Sequence, residues 1–205
     1  MLVSAVVSAV LQVAVVLVLG GLVYFPLRGK AKPSFVEFLG LGRTTELAVL
    51  AGVVLGAIGA VACLAIPGVA AAGRAPHSVV GDMVAAGLSG ETVAALVVSA
   101  AIKTALAEEL LFRGLLAKRL YAWIGFWPGN VVQALIFGGI HVGLMALLHG
   151  SAVVMAAFGL FAGLMALVAG WLNEKPGKGS IWSGWALHGT SNVVSYLCLA
   201  FGVFH

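Results

Sequence analysis

The sequence contains few charged residues for its length. Asp, Glu, Lys and Arg make up 9% of the 205 residues, whereas soluble domains contain about 25%. Hydrophobic residues make up 62%, and a soluble chain of this composition would expose large apolar patches and aggregate. The shortage of charge therefore excludes a soluble globular protein, a coiled coil and a disordered chain. It predicts a polytopic membrane protein.

Cysteine is also scarce. The two cysteines, Cys63 and Cys198, lie far apart in apolar stretches and form no C-x-x-C pair. This pattern excludes a disulfide-stabilised scaffold, and we expect both thiols to act as small packing residues. The net charge of +4 comes from basic residues that lie between the hydrophobic stretches. It therefore indicates membrane topology rather than a nucleic-acid partner.

Six hydrophobic stretches are long enough to cross a bilayer as helices, which takes about 20 residues. They cover residues 2–26, 46–72, 91–113, 128–148, 151–173 and 180–204. The first stretch lacks a basic start and an A-x-A cleavage site, so we expect it to be retained rather than removed as a signal peptide. The sequence thus predicts an all-α, polytopic transmembrane helix bundle with about six spans.

Basic residues are concentrated in the first, third and fifth connections between these stretches. Those connections contain Arg28, Lys30, Lys32, Arg43, Lys118, Arg119, Lys175 and Lys178. The second and fourth connections contain a single basic residue, Arg74. Because Lys and Arg are enriched in cytoplasmic loops, we expect the odd-numbered connections to lie inside the cell and both termini to lie outside.

Glycines recur at a spacing of four residues in three of the stretches. The pairs are Gly52 with Gly56, Gly139 with Gly143, and Gly159 with Gly163. Small residues at this spacing let two helices approach closely in a membrane. We interpret them as packing positions inside the bundle rather than as a dimer interface, although the sequence leaves the oligomeric state open.

Ionisable residues inside membrane spans are costly, so each is a functional candidate. The third stretch contains Glu108, Glu109 and Arg113, the fourth contains His141, and the sixth contains His188 and Asn192. Glu109 precedes Arg113 by four residues, which is the favourable order for an ion pair along a helix. Glu108 is rotated by about 100° from Glu109 on an α-helix. We therefore expect Glu109 to pair with Arg113 and Glu108 to face the bundle without a partner.

The polar residues of the three stretches are predicted to lie at similar depths. His188 and Asn192 are four residues apart and project from one face of their helix. At about 1.5 Å per residue from the predicted cytoplasmic ends, His188 lies about 12 Å deep, His141 about 20 Å, and Glu108 about 8 to 15 Å. These depths overlap, which predicts one shared site in the cytoplasmic half of the membrane.

This set of side chains favours hydrolysis of an acyl bond. A carboxylate and two imidazoles activate water either directly or through a bound Zn²⁺, and an amide beside an imidazole can donate hydrogen bonds to an oxyanion. No G-x-S-x-G motif is present and neither cysteine has a charged neighbour in sequence, which disfavours a serine or cysteine nucleophile. Buried Glu and His also occur in proton-coupled transporters, but the sequence lacks the repeat symmetry common in those proteins.

The three motifs together resemble the CPBP family of intramembrane proteases, which is related to the type II CAAX prenyl endopeptidases. The family pattern is E-E-x-x-x-R, then F-x-x-x-H, then H-x-x-x-N or D, on successive helices. This chain matches it with Glu108-Glu109 and Arg113, with Phe137 and His141, and with His188 and Asn192. The resemblance predicts a catalytic core over residues 91–205. Residues 1–90 then form two N-terminal transmembrane helices and a basic cytoplasmic loop.

The resemblance implies an intramembrane endopeptidase in a prokaryotic plasma membrane, with its active site open to the cytosol. By position, Glu108 would activate water with the help of His141, and Arg113 would position Glu109. His188 and Asn192 would stabilise the oxyanion. A divalent metal such as zinc, if one is bound, would use Glu108, His141 and His188 as ligands.

The resemblance defines the site better than the substrate. It implies that the substrate is a peptide or protein at the lipid bilayer, and it leaves open whether that substrate carries a lipid. Two other function classes remain as alternatives. One is a catalytically idle membrane protein of the bacteriocin-immunity or scaffold type, and the other is a small proton-coupled transporter.

Overall fold

The computed structural model describes residues 1–27, 33–76 and 78–204, and in these ranges the chain is helical without any β-strand. The all-α prediction is therefore confirmed. Three basic residues used in the topology prediction, Arg28, Lys30 and Lys32, lie outside the described residues.

The chain folds into long helices joined by short helical connections. In chain order these are α1 (Leu2–Leu27), α2 (Phe35–Phe38), α3 (Glu46–Leu64), α4 (Val69–Gly73), α5 (Val79–Ala85), α6 (residues 90–124), α7 (Phe126–Leu147), α8 (Ala152–Glu174) and α9 (Trp182–Ala200). The second predicted span, residues 46–72, was too long. Helix α3 ends at Leu64, and the chain turns at Gly68, whose φ of 85° favours glycine.

Four helices of the described ranges are long and apolar enough to cross a membrane, namely α1, α3, α7 and α8. The other two predicted spans correspond to α6 and α9, which contain the polar motif residues. The arrangement of six spans with both termini outside stays a prediction. The apolar helices identify the chain as an integral membrane protein.

Helix α6 is continuous but is not α-helical throughout. It is π-helical over Ser99–Leu106 and over Glu109–Ala117. The sequence predicted an ordinary α-helix here, because hydrophobic periodicity does not separate the two forms over eight or nine residues. A π-turn is hydrogen bonded from i to i+5 and therefore holds more residues, so the expected rotation of about 100° between Glu108 and Glu109 is too large. Such segments are rare and are frequently found at functional sites.

Helices α3 and α9 pack at backbone distance through two of the predicted glycines. A Cβ atom added to Gly52 would collide with the carbonyl oxygen of Ser183, and one added to Gly56 would collide with that of Leu187. Only glycine permits this contact, since the obstructing atoms belong to the backbone and cannot rotate away. The close-packing prediction is confirmed for this pair, which holds α9 and its motif residues in place.

The second close crossing, between α7 and α8, corrects one of the predicted pairs. Gly159 and Gly163 face α7 as expected, but their partner there is Gly138, where an added Cβ would lie 2.6 Å from the carbonyl oxygen of Gly159. Gly139 and Gly143 have open space around them and lie on the exposed face of α7. The prediction that they pack inside this bundle was wrong, because they lie on a different, exposed face of the helix from Gly138.

The segment of residues 33–45 is docked against the end of α6. Leu39 is fully buried in a cluster with residues of α1 and α6, and its carbonyl oxygen lies so close to Gly114 that a Cβ there would be 2.7 Å away. Arg119 donates a hydrogen bond of 2.9 Å to the carbonyl of Phe38, and its guanidinium group lies 3.6 Å above the Phe38 ring. Charge and apolar burial together fix this segment on α6.

The fifth connection joins the same group of contacts. Lys118 of α6 donates to Glu174 at 2.9 Å and to the carbonyl of Gly179 at 2.7 Å. The amide of Ile181 donates to the carbonyl of Gly40 at 2.8 Å. The first, third and fifth connections therefore meet at one end of the bundle, which is the end that their basic residues predict to be cytoplasmic.

Candidate active site

Glu109 of α6 lies at the centre of the polar cluster and has no solvent exposure. One of its oxygens, Oε1, is 3.1 Å from Nη1 of Arg113 and 3.1 Å from Nδ1 of His188. Arg113 is only 3% exposed, so the two opposite charges compensate each other inside the protein. The predicted ion pair is confirmed. The contact with His188 comes from α9, and spacing along one helix could not reveal it.

Glu108 precedes this buried pair and is the more accessible of the two carboxylates. Its side chain is 25% exposed, and its Oε2 lies 3.8 Å from Nε2 of His188. Within the described part of the chain that oxygen accepts no hydrogen bond. His188 therefore lies between two carboxylates, with Nδ1 on Glu109 and Nε2 directed toward Glu108. Oε2 of Glu108 is itself buried and can still accept a hydrogen bond from a water molecule.

His141 of α7 is held by its own helix. Its Nδ1 lies 2.8 Å from the carbonyl oxygen of Phe137, and because a carbonyl can only accept, the hydrogen must be on Nδ1. Nε2 is then left for the reaction space. Glu108 and His188 are both near enough to act on His141 electrostatically. The three motif helices, α6, α7 and α9, therefore converge on one site.

Phe137 is the apolar centre of this site, a role that the motif alone did not indicate. Its buried ring lies with its centroid 4.4 Å from that of His141 and 5.8 Å from that of His188. The guanidinium carbon of Arg113 is 4.3 Å from the same centroid. One aromatic ring thus packs both imidazoles and the arginine, which restricts their rotation.

Two buried side-chain amides, on the turns of α7 that precede Phe137, position this helix against α8. Gln133 donates to Asn130 at 2.9 Å and to the carbonyl of Ala166 at 3.0 Å, and Asn130 donates to the carbonyl of Leu167 at 3.0 Å. These bonds fix α7 against α8 and therefore fix the height of His141. Sequence reasoning missed both amides, although two amide residues three positions apart within a hydrophobic stretch are a signal that could have found them.

Asn192 and the two histidines share a cavity of about 290 Å³. Ser191, Ser195 and Tyr196 of α9 add polar groups to its wall. The remaining wall is mostly apolar and comes from the ends of α3 and α7, from α4 and α5, and from α8, with Leu64, Val69, Val80, Leu148 and Phe158 among its residues. The cavity therefore extends from the histidines toward the end of the bundle opposite the basic connections.

The resemblance implies Glu108, His141 and His188 as ligands of a zinc ion only if one is bound. Among the residues that the structure describes, no group of three His, Cys, Asp or Glu side chains is arranged to hold a metal ion. Zinc requires its donors to converge at about 2.0–2.2 Å. In the arrangement of the described residues, Glu108, His141 and His188 are therefore not grouped as a zinc site. Both cysteines are free thiols, as predicted.

Comparison with known proteins gives one result. The family model described as type II CAAX prenyl endopeptidase Rce1-like matches residues 90–194. No curated protein and no solved structure matches the chain. The matched segment runs from the start of α6 into α9, and it includes every residue of the three motifs.

Proposed function

Because the chain belongs to the Rce1-like type II CAAX prenyl endopeptidase family, as its motifs predicted, we propose that it hydrolyses a peptide bond of a membrane-associated substrate. Membership supports a peptidase at the level of the family. The observation that carries the proposal is the position of Glu108, which is partly exposed, accepts no hydrogen bond from the described residues at Oε2, and lies beside His188.

Glu108 is the general base in this proposal. Its carboxylate takes a proton from a water molecule, and the water oxygen attacks the carbonyl carbon of the scissile peptide bond. The tetrahedral intermediate then collapses with cleavage of the carbon–nitrogen bond, and the proton on Glu108 passes to the leaving nitrogen. His141, whose Nδ1 is committed to the carbonyl of Phe137, presents Nε2 as an acceptor that helps to orient the water.

The oxyanion of the intermediate is stabilised from α9. Asn192 supplies an amide donor from the cavity wall, and His188 lies one turn earlier on the same helix. Glu109 accepts the Nδ1 hydrogen of His188 and thereby orients its ring. Nε2 of His188 can then donate a hydrogen bond to the oxyanion only when both ring nitrogens carry a hydrogen. The positive charge of that ring would lie between the carboxylates of Glu109 and Glu108. Arg113 keeps Glu109 in position.

The test of this proposal requires no candidate substrate. Membranes from cells that produce wild type or Glu108→Gln at equal levels are compared by mass spectrometry of peptide termini. Termini that depend on wild type are expected, because glutamine retains the shape of the side chain but cannot accept the proton. Glu46→Gln is the matched control, since Glu46 is an exposed glutamate at the start of α3, and it should give the wild-type termini.

Identical termini in all three membranes, with each protein present, would contradict the proposal and favour the scaffold or immunity-type alternative. Uptake of a solute that requires a proton gradient and is lost in Glu108→Gln would favour transport instead.

We also expect the activity to survive removal of divalent metals, because the proposed mechanism activates water with Glu108 and includes no step that requires a metal ion. The purified protein is treated with a strong chelator, dialysed, and assayed on a peptide that spans one of the wild-type-dependent termini. Its rate should be unchanged, while a zinc peptidase treated in parallel is inactivated. Loss of activity that is restored by added zinc would overturn this expectation.

A further inference from the structure

Asn173, at the end of α8, approaches Glu109 across the backbone of Gly184. If Gly184 carried a Cβ atom, that atom would lie 2.6 Å from Nδ2 of Asn173 and 2.8 Å from Oε2 of Glu109. The two side-chain atoms are therefore less than two hydrogen-bond lengths apart. Asn173 belongs to none of the three motifs, and it is only 2% exposed.

The orientation of the Asn173 amide is determined by its contacts. The backbone N–H of Gly184, in the first turn of α9, lies 2.6 Å from Oδ1 of Asn173. A backbone N–H can only donate, so the oxygen of the amide must face it. Ser183 donates its hydroxyl to the same oxygen at 3.0 Å. Asn173 therefore caps the start of α9 from another helix, and its NH₂ group is directed away from that helix end.

This NH₂ group and the second oxygen of Glu109 are an unused donor and an unused acceptor. Nδ2 of Asn173 and Oε2 of Glu109 are both buried, and neither has a hydrogen-bond partner in the described part of the chain. A buried donor or acceptor without a hydrogen-bond partner costs free energy, and a charged carboxylate costs more than a neutral amide. Because both lie within 2.8 Å of the Cβ position of Gly184 and do not bond directly, one bridging water satisfies both at once.

We propose that Asn173 is a positioning residue for Glu109: its Nδ2 donates a hydrogen bond to a water molecule beside Gly184, and that water donates to Oε2 of Glu109. The carboxylate of Glu109 is then held on three sides, by Arg113 and His188 at Oε1 and by the water bound to Asn173 at Oε2. Glu109 orients the ring of His188, which stabilises the oxyanion. Asn173 therefore acts on His188 through Glu109. This inference rests on the proposed peptidase function.

Asn173→Asp separates the two roles of the side chain. The new carboxylate still accepts from the Gly184 amide and the Ser183 hydroxyl, so the cap of α9 is kept, but the donor toward Glu109 is replaced by a like charge. Using the peptide that spans a wild-type-dependent terminus, we expect kcat to fall by about 10- to 100-fold, the value of a hydrogen bond to a charged group. KM should stay unchanged, because Asn173 is not a wall residue of the cavity.

Ser183→Ala is the matched control. It removes one hydrogen bond from the same amide oxygen and leaves the donor in place, so its kcat should equal that of wild type. If the aspartate variant does not yield folded protein, Asn173→Ala removes the same donor together with the cap of α9, and kcat should again be lowered at unchanged KM. If the Asn173 variant that folds, whether aspartate or alanine, has the kcat of wild type, the proposal is overturned. That failure is distinct from failure of the peptidase function, which Glu108→Gln tests separately.

Discussion

Replacing Arg113 with leucine is expected to abolish hydrolysis and to lower the free energy of unfolding by about 3 to 5 kcal/mol, the usual cost of breaking a buried ion pair. The guanidinium group forms an ion pair with Glu109, whose carboxylate has no exposure to water. Its removal leaves a buried negative charge without that compensation. The group also packs on Phe137, which positions both histidines.

Arg119→Leu is the control for the Arg113 variant. Arg119 lies on the same helix and also combines a ring contact, with Phe38, and a hydrogen bond to a carbonyl, but it faces no buried carboxylate among the described residues. Thermal unfolding in detergent should show a much smaller loss for this variant, with hydrolysis retained. Combining Arg113→Leu with Glu109→Gln should recover stability but not activity. Equal stability of the two single variants would contradict the assigned role of Arg113.

Gly56→Val is expected to prevent the bundle from assembling. The added Cβ would collide with the carbonyl oxygen of Leu187 and lie 3.0 Å from the Cβ of Thr190. Overpacking costs typically about 1 to 3 kcal/mol and occasionally more, and here the obstruction is backbone, so rotation of a side chain cannot relieve it. Helices α3 and α9 must separate, and His188 moves with α9.

Gly139→Val makes the matched comparison, because Gly139 is also a helical glycine at a small-residue spacing but has open space around it. The yield of monodisperse protein after detergent extraction should fall sharply for Gly56→Val and remain at the wild-type level for Gly139→Val. A normal yield of active Gly56→Val would show that α3 and α9 are not in backbone contact.

Features that depend on one segment of chain were predictable from the sequence. The helical class follows from composition, and the pair of Glu109 with Arg113 follows from a spacing of four residues. The thiols of Cys63 and Cys198 are free, as their apolar surroundings indicated. These predictions need only local geometry or an overall count, so they do not depend on how the helices are arranged in three dimensions.

Features that depend on how helices pack were not predictable in the same way. The choice between Gly138 and Gly139 as the contact with α8 depends on the rotation of α7, which hydrophobicity does not define when both faces are apolar. The contact of Glu109 with His188 and its approach to Asn173 each require two helices to meet at a particular height. The π-helical turns of α6 were missed for a related reason, because a pattern of apolar residues does not distinguish them from α-helical turns.

The docked segment of residues 33–45 has a consequence for cooperativity. It lies outside residues 90–194, which the family model matches. Its Gly40 carbonyl nevertheless accepts a hydrogen bond from the amide of Ile181 in that region, and the hydroxyl of Thr45 donates to the carbonyl of Pro176. Removing the N-terminal helices would expose the surface of Gly114 that Leu39 covers, and it would leave the amide of Ile181 at the start of α9 and the carbonyl of Pro176 without their partners. The chain should therefore melt in a single transition, and its matched core should not survive excision as an independent folding unit.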